Sequence, residues 1–413
     1  MDPHPIATTE QHEHELETLD RIQHPTVVAA YQRVRDHWLD IADPSPAMRA
    51  CFDSAFEEVM FSAAIWSANQ DPLRPKVTTI TRLAHPVQGI PVPGSRWGID
   101  NPDSIYRVIP ISGSEEYRIH GRTGERRMTE NYFTLWDENM NTVDVLSGHD
   151  LVLNEDRTFT ISVDSKPANG RPNHVQSAPE AHEFYIRDVM LDWERDEPNW
   201  LRVERLGDPP KNAPRTDDEQ AELTASFMLR YADFTHRLSR GSLQNPPNAF
   251  SLAWSADRGG ALRNQIYVGG HFKLESDESF VIHVNDGGAD YFVVPIANIW
   301  GTTLNIVDRT SSLNKAQAAP NPDGTYTFVL AREDPGVHNW LDTCDMDEGM
   351  LTLRMAEFPG KRPRDDLSAQ GEIVKLQDLR SHLPEGTLWV SPGERRQQQA
   401  ERAAAYRRRL PEI

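Results

Sequence analysis

Cysteine is nearly absent. The 413-residue chain holds two, Cys51 and Cys344, far apart in sequence. Two thiols make neither a disulfide framework nor a cysteine-rich metal site, and a reducing, cytoplasmic compartment is the simplest expectation. Long apolar runs are missing too. The closest, Val59 to Trp66, falls well short of the roughly 18 residues that a membrane span needs. The start, Met1-Asp2-Pro3-His4-Pro5, lacks the basic and apolar regions of a secretory signal. Positive charge is scarce, with 43 Lys and Arg against 63 Asp and Glu, a net charge of −20. That field repels phosphate backbones and anionic lipid, so neither nucleic acid nor membrane is an expected partner. The exception is Glu394 to Arg409, with Arg395, Arg396, Arg402, Arg407, Arg408 and Arg409, which reads as a solvated terminal helix.

Motifs are equally sparse. No Gly-x-Ser-x-Gly elbow is present, and Gly259-Gly260 and Gly269-Gly270 lack the context of a dinucleotide loop. His182, His271 and His283 do not fall at metal-ligand spacing. Neither a metal nor an organic cofactor is expected.

What is present is a change of texture along the chain. Residues 1–75 read as a helical segment. Val27, Val28, Tyr31, Val34 and Trp38 recur at helical steps, His24-Pro25 interrupts, and a further helix is expected from Pro46 to Asn69. Residues 76–210 form a first β-rich domain, with strands expected at 105–110, 117–121, 132–136, 151–153, 159–163, 183–191 and 201–205. Residues 211–245 read as a linker helix, capped at Thr216 or Asp217. Residues 246–360 form a second β-rich domain, with strands at 266–274, 279–284, 291–294, 303–306, 326–330 and 350–355. Hairpins are expected at Asp156-Arg157, Asp277-Glu278, Asp286-Gly287-Gly288 and Pro322-Asp323-Gly324. Residues 361–413 complete the chain as a tail and helix. The expected class is therefore mainly β, in sandwich or jelly-roll layers with helical flanks. Two β-rich blocks in succession allow an internal repeat, but the sequence contains none clear enough to assign.

The segments Asp308-Arg309-Thr310-Ser311-Ser312-Leu313-Asn314, Asp323 to Val329, and above all Pro335-Gly336-Val337-His338-Asn339-Trp340-Leu341-Asp342 resemble the carboxy-terminal signature of a bacterial family, the domain of unknown function 1214. Asn101 to Arg107 and Tyr117 to Gly121 resemble the amino-terminal half of its longer members. The resemblance implies a β-sandwich or jelly-roll core and no agreed activity. This chain departs from the pattern after Thr343, where Cys344-Asp345-Met346-Asp347-Glu348 is more acidic than the family's glycine- and histidine-bearing loop.

Chemistry concentrates in that signature. A histidine near carboxylates can be held as one tautomer and work as acid or base, so His338 and Asp342 are the candidate catalytic pair, provided Asn339-Trp340 makes a turn. Trp340 and Trp300 are candidate pocket walls, Asn339 a polar contact, and Arg309 a clamp for an anion. Tyr106 and Arg107 lie at a strand start on opposite faces, and His283 shares a face with Val281. Each also has a purely structural reading: Trp340 and Leu341 anchoring the loop, Asp342 capping amides, Arg309 bonding carbonyls, His283 sitting in the core. Asp345, Asp347 and Glu348 lack calcium-loop spacing. Cys344, among carboxylates, makes a poor nucleophile.

The expected function is a cofactor-independent enzyme of lyase, hydratase or isomerase type, or a binder derived from one, for a small, partly apolar organic molecule. The alternative is a non-catalytic carbohydrate-binding or assembly module. An exposed row of Trp97, Trp136, Trp254 and Trp300 would favour the alternative. The stripe from Val27 to Trp38 suggests a homo-oligomer.

Overall fold

The chain begins with helices whose ends follow local chemistry. In this computed structural model, which describes residues 4–254 and 265–410, α1 (Thr9–Arg21) is capped by the Thr8 side chain. α2 (Pro25–Ala42) starts on the His24-Pro25 step, with His24 as cap. The expected helix from Pro46 to Asn69 is two helices, α3 (Pro46–Ala50) and α4 (Phe52–Ala68), which meet at Cys51 in a non-helical conformation. Trp38 of α2 packs edge-on against Phe52 and Phe56 of α4 and against Trp300, and Val27 and Val34 are buried with it. The stripe on α2 is therefore covered within one chain, and only its member Val28 is exposed.

Between these helices and a proline-rich connection lies the first β-sandwich. Its strands are β1 (Thr78–Thr79), a small hairpin of β2 (His85–Val87) and β3 (Ile90–Val92), β4 (Ser104–Pro110), β5 (Tyr117–Arg122), β6 (Glu130–Asp137), β7 (Thr142–Ser147), β8 (Thr158–Asp164), β9 (His174–Gln176), β10 (Ala181–Val189) and β11 (Trp200–Arg205). A five-stranded sheet in the order β1-β4-β10-β6-β7 packs on a four-stranded sheet, β11-β5-β8-β9. Ile109, Phe133, Leu135, Phe184 and Ile186 from one sheet, with Ile119, Phe159 and Ile161 from the other, fill the space between.

α5 (Asp217–Leu243) follows, opened by a capping box of Thr216 and Glu219. It was expected as a linker, but it packs on α2 and α4. Then come β12 (Ala249–Trp254), β13 (Ile266–Lys273), β14 (Glu278–Asn285), β15 (Tyr291–Ala297), β16 (Ser312–Asn314), β17 (Tyr326–Ala331), β18 (Trp340–Asp342), β19 (Glu348–Ala356) and β20 (Ser368–Lys375). The orders are β12-β13-β19-β15-β16 and β18-β17-β14-β20. Strand for strand this repeats the first sandwich, including its one parallel pair, β8 with β9 and β17 with β18. The chain is an internal duplication that identity of residues had hidden and strand order reveals.

Several expectations change in this light. Residues 151–153 and 303–306 are not strands; Thr303 makes only a single bridge to Ala297. The turns after Asp277 and Asp286 carry the chain from one sheet to the other, as a sandwich requires, so they are not hairpins of one sheet. β20, in the segment read as a tail, pairs with β14 in the second sandwich. After the short α6 (Leu379–His382), α7 (Pro392–Arg407) was expected in solvent, but it lays one side on the protein. Arg395, Arg402 and Arg409, seven residues apart, are 4–7% exposed. Arg402 donates to the Ile306 carbonyl and to Ser312 Oγ and stacks on Trp193. Arg395 pairs with Asp334 and covers Trp340. Guanidinium groups bury well in this way because a flat face can stack while the edge nitrogens bond carbonyls.

A third core lies outside both sandwiches. The outward faces of the two five-stranded sheets contribute Tyr106, Trp136, Tyr185, Ala297 and Met350 to one cluster with α2, α4 and α5. Among the described residues no helix is long and apolar enough to cross a membrane.

Candidate functional site

The signature loop has a fold-keeping role. Residues 340–342 form β18, parallel to β17, so the turn that His338 and Asp342 need is absent. Four extended residues span roughly 13 Å. His338 Nε2 donates instead to the Gln317 carbonyl (3.2 Å), and burial pushes its pKa down. The cavity beside it, lined by Pro320, Asn321, Thr327 and Leu388, is about 10 Å³, room for one water and no substrate. Asp342 is fully buried and gripped by Arg309, Nε to Oδ2 at 2.6 Å and Nη2 to Oδ1 at 2.7 Å, and it accepts from the Cys344 amide. Arg309 also donates to Asp345 Oδ2 (2.8 Å), so its fork is committed to two internal carboxylates. Asn339 bonds both backbone groups of Ala319 and the Thr327 carbonyl, and Trp340 Nε1 donates to the Ala331 carbonyl. Burial, then Asp342, pushes the Cys344 thiol up to about 11. Asp345 and Asp347 carry the arginine partners Arg309 and Arg332.

The remaining candidates scatter. Trp300 is fully buried and donates to the Met48 carbonyl. His283 is half-buried on the outer face of its sheet and bonds Thr327 Oγ1 (3.1 Å). Alternation does separate Tyr106 from Arg107. Arg107 points into the first sandwich, where it pairs with Asp188, itself held by Asn131 and the Asn199 amide. Tyr106 points the other way, into the layer between the sandwiches. Trp97 and Trp136 are buried in the same layer, not ranged on a surface, and the side chain of Trp254 lies outside the described residues.

That layer holds the polar groups that sequence reading missed. Arg187 on β10 lies opposite Tyr106 on β4, and Arg354 on β19 lies opposite Tyr267 on β13. Each arginine is third from the end of its strand, so the duplication places the same pair twice, on faces that look toward each other. Arg187 sits over Tyr185 (4.5 Å) and Trp136 (5.4 Å), whose rings stack at 4.3 Å. Arg354 lies over Tyr267 (5.8 Å), donates to the Ile99 carbonyl, and approaches the Tyr106 hydroxyl at 3.5 Å.

Glu130 of β6 completes the group. Tyr267 donates to Gln265, whose amide donates to Glu130. Burial first, then the nearby Glu357, pushes the Glu130 carboxyl up to about 8, against the opposing pull of Arg187, Gln265 and Arg354. Both guanidiniums thus act on the same carboxyl electrostatically. Glu357 accepts from the Tyr132 hydroxyl and lies 3.9 Å from His149. Buried within this layer, Glu130 Oε2, Arg354 Nε and Thr134 Oγ1 have no hydrogen-bond partner among the described residues. Buried polar atoms are rarely left so.

A signal for this site did exist in the sequence. Phe184-Tyr185-Ile186-Arg187 and Leu351-Thr352-Leu353-Arg354 each put an arginine on a strand that is otherwise buried. A charge in such a place needs a partner outside its own strand, but Glu130 lies 57 residues from Arg187 and 224 from Arg354.

No family model matches the chain, and no curated protein matches it. Among solved structures, an uncharacterized protein from Burkholderia cenocepacia is similar, with a TM-score of 0.73 at 23% identity over 87% of this chain and 99% of that one. The VPA0106 protein of Vibrio parahaemolyticus aligns with a TM-score of 0.43 at 11% identity, over 67% of this chain and 90% of that one. The Burkholderia likeness spans nearly the whole duplicated architecture, and what it establishes for this chain is the fold.

Proposed function

We propose that the chain takes a small, partly apolar organic molecule into the layer between its five-stranded sheets and acts on it by acid–base chemistry at Glu130. The supporting observation is that two register-equivalent arginines, on sheet faces sharing one buried layer, both pull electrostatically on a carboxyl that burial pushes up to about 8. A carboxyl held near the working pH can deliver its proton to a substrate atom that gains electron density and then take one back, as lyase, hydratase and isomerase steps require. Tyr106, Tyr185 and Trp136 supply the apolar wall, as small-molecule sites commonly do. We also read the chain as a relative of the domain of unknown function 1214 family, on the string from Pro335 to Asp342. In that reading the signature maintains the second sandwich and the chemistry lies elsewhere.

The test is a thermal-shift screen of the full chain against aromatic, terpenoid and steroid compounds. A ligand that prefers the native state raises Tm by mass action, and Tyr185→Ala should remove the rise. A panel in which no compound moves Tm, or in which Tyr185→Ala leaves every shift intact, sinks the proposal.

A further inference from the structure

We infer that a cavity among the helices, apart from the layer, binds a small organic ammonium ion: one positive nitrogen on a compact apolar body. The cavity measures about 230 Å³ and lies between the end of α1 and the helices α2, α4 and α5. None of the described residues lining it belongs to either five-stranded sheet. Met60, Phe61 and Met228, all buried, form its apolar wall. An apolar cavity of about 150 Å³ is enough to hold benzene, so this one takes a phenyl ring with a short arm. Thioethers adapt readily to such a body. Val28 lies at the mouth, 46% exposed, on a helix whose other apolar residues are largely covered.

The polar groups of the same cavity specify the head of the ligand. They are Gln23, Tyr31 and Glu57. Among the described residues, none of these three side chains makes a hydrogen bond or an ion pair. Each carries an oxygen that can accept, and an ammonium group has three donors and no acceptor. Glu57 alone among the described lining residues is charged. Its neighbours are committed elsewhere: Arg35 pairs with Asp53 at 2.5 Å, and Glu58 with Arg96. Burial, then Glu57, pushes the Tyr31 pKa up, so that hydroxyl stays neutral. Its ring meets Phe56 edge-on, with centroids 4.7 Å apart, and adds a cation–π attraction for the ammonium. A neutral molecule of the same shape would cover Glu57 without satisfying it. A carboxylate would be repelled by Glu57 and by the net charge of −20.

Isothermal titration of the full chain with phenethylamine, phenethyl alcohol and phenylacetate compares three charges on one apolar body. The amine should bind, the alcohol should be weaker by roughly tenfold, and the acid weaker still. Glu57→Gln changes an exposed side chain, so the fold should hold. It should bring the amine down to the affinity of the alcohol and leave the alcohol unchanged. Val28→Trp, at the mouth, should weaken both by tenfold or more, on the order expected when a bulky side chain fills the ligand's space.

The inference is overturned if the amine does not bind, or if the alcohol binds as tightly. It is overturned equally if Glu57→Gln leaves the amine intact, or if Val28→Trp leaves both compounds intact. Light scattering that finds a dimer, split by Val28→Trp, would also overturn it and assign the cavity to a second copy of the chain. None of these outcomes bears on the layer, whose test turns on Tyr185.

Discussion

The two sandwiches share strand order and differ in what covers them. In the second, the outer face of the four-stranded sheet is roofed. Val281, Val329, Trp340 and Val374 pack with Leu379 and Leu383 of the carboxy-terminal segment. In the first, the corresponding face of β11-β5-β8-β9 presents His120, Arg122, Trp200 and Arg202 along a shallow trough. The facing sides of the five-stranded sheets differ as well. Both carry the arginine–tyrosine pair, but the position of Glu130, opposite the last residue of β10, is taken by Tyr291, opposite the last residue of β19. Tyr291 bonds Asn101 and Asp103 and closes the joint between the halves. One sandwich carries a titratable carboxyl at this position of the layer, and the other carries Tyr291.

The largest effect expected from this asymmetry is in pH. Glu130 holds its proton up to about 8 when folded, against an ordinary 4.5. Between those values the folded state binds a proton that the unfolded state has lost, so stability falls as pH rises through that window and levels off above it. Glu130→Gln mimics the neutral acid. Its stability should exceed that of the parent by on the order of 3–5 kcal/mol above pH 8, with the difference vanishing near pH 4. Urea unfolding from pH 4 to 9 measures it, and parallel curves for the two proteins would refute the role given to Glu130.

Next in size is the signature. Asp342→Asn leaves Arg309 without its buried bidentate partner and should cost about 3 kcal/mol, as breaking a buried pair does. Ligand binding by the folded fraction should be unchanged. A stable variant that has lost binding would return catalysis to the loop.

The terminal helix α7 can be compared with the exposed trough of the first sandwich. Arg402→Ala removes a stack on Trp193 and three hydrogen bonds and should cost about 2 kcal/mol. Arg202→Ala, on the exposed trough, should stay within about 0.5 kcal/mol. Equal costs in paired thermal melts would mean that the terminal helix does not clamp the fold. Smallest of all, His338→Gln should leave ligand affinity within about twofold, because its ring serves one carbonyl on the far side of the second sandwich.

Much of the fold was legible in residues 76–360. The strands at 105–110, 117–121, 159–163 and 326–330 stand within a residue or so of their expected limits, because β-branched and aromatic runs between turn residues carry that information locally. The short edge strands β1, β9, β16 and β18 escaped notice, since two or three residues paired on one side leave no periodicity. The terminal helix was found as a helix and misplaced in solvent: six arginines look alike until three of them, at 395, 402 and 409, prove to share one side.

By itself, then, the sequence determined the class of the chain: a β-rich body with helical flanks, strongly acidic and without cysteine staples. These follow from composition and from patterns a few residues long. Only the tertiary structure decided that the β-rich body is one sandwich used twice, that the signature string holds an edge strand in place, and that the arginines of β10 and β19 lie on sheet faces that share one buried layer with Glu130. Hydrophobic period and turn chemistry act over nearest neighbours along the chain. Bringing Arg187 and Arg354 to one layer depends on two sheets packing face to face across 166 residues of intervening sequence, a distance over which no local pattern carries a signal.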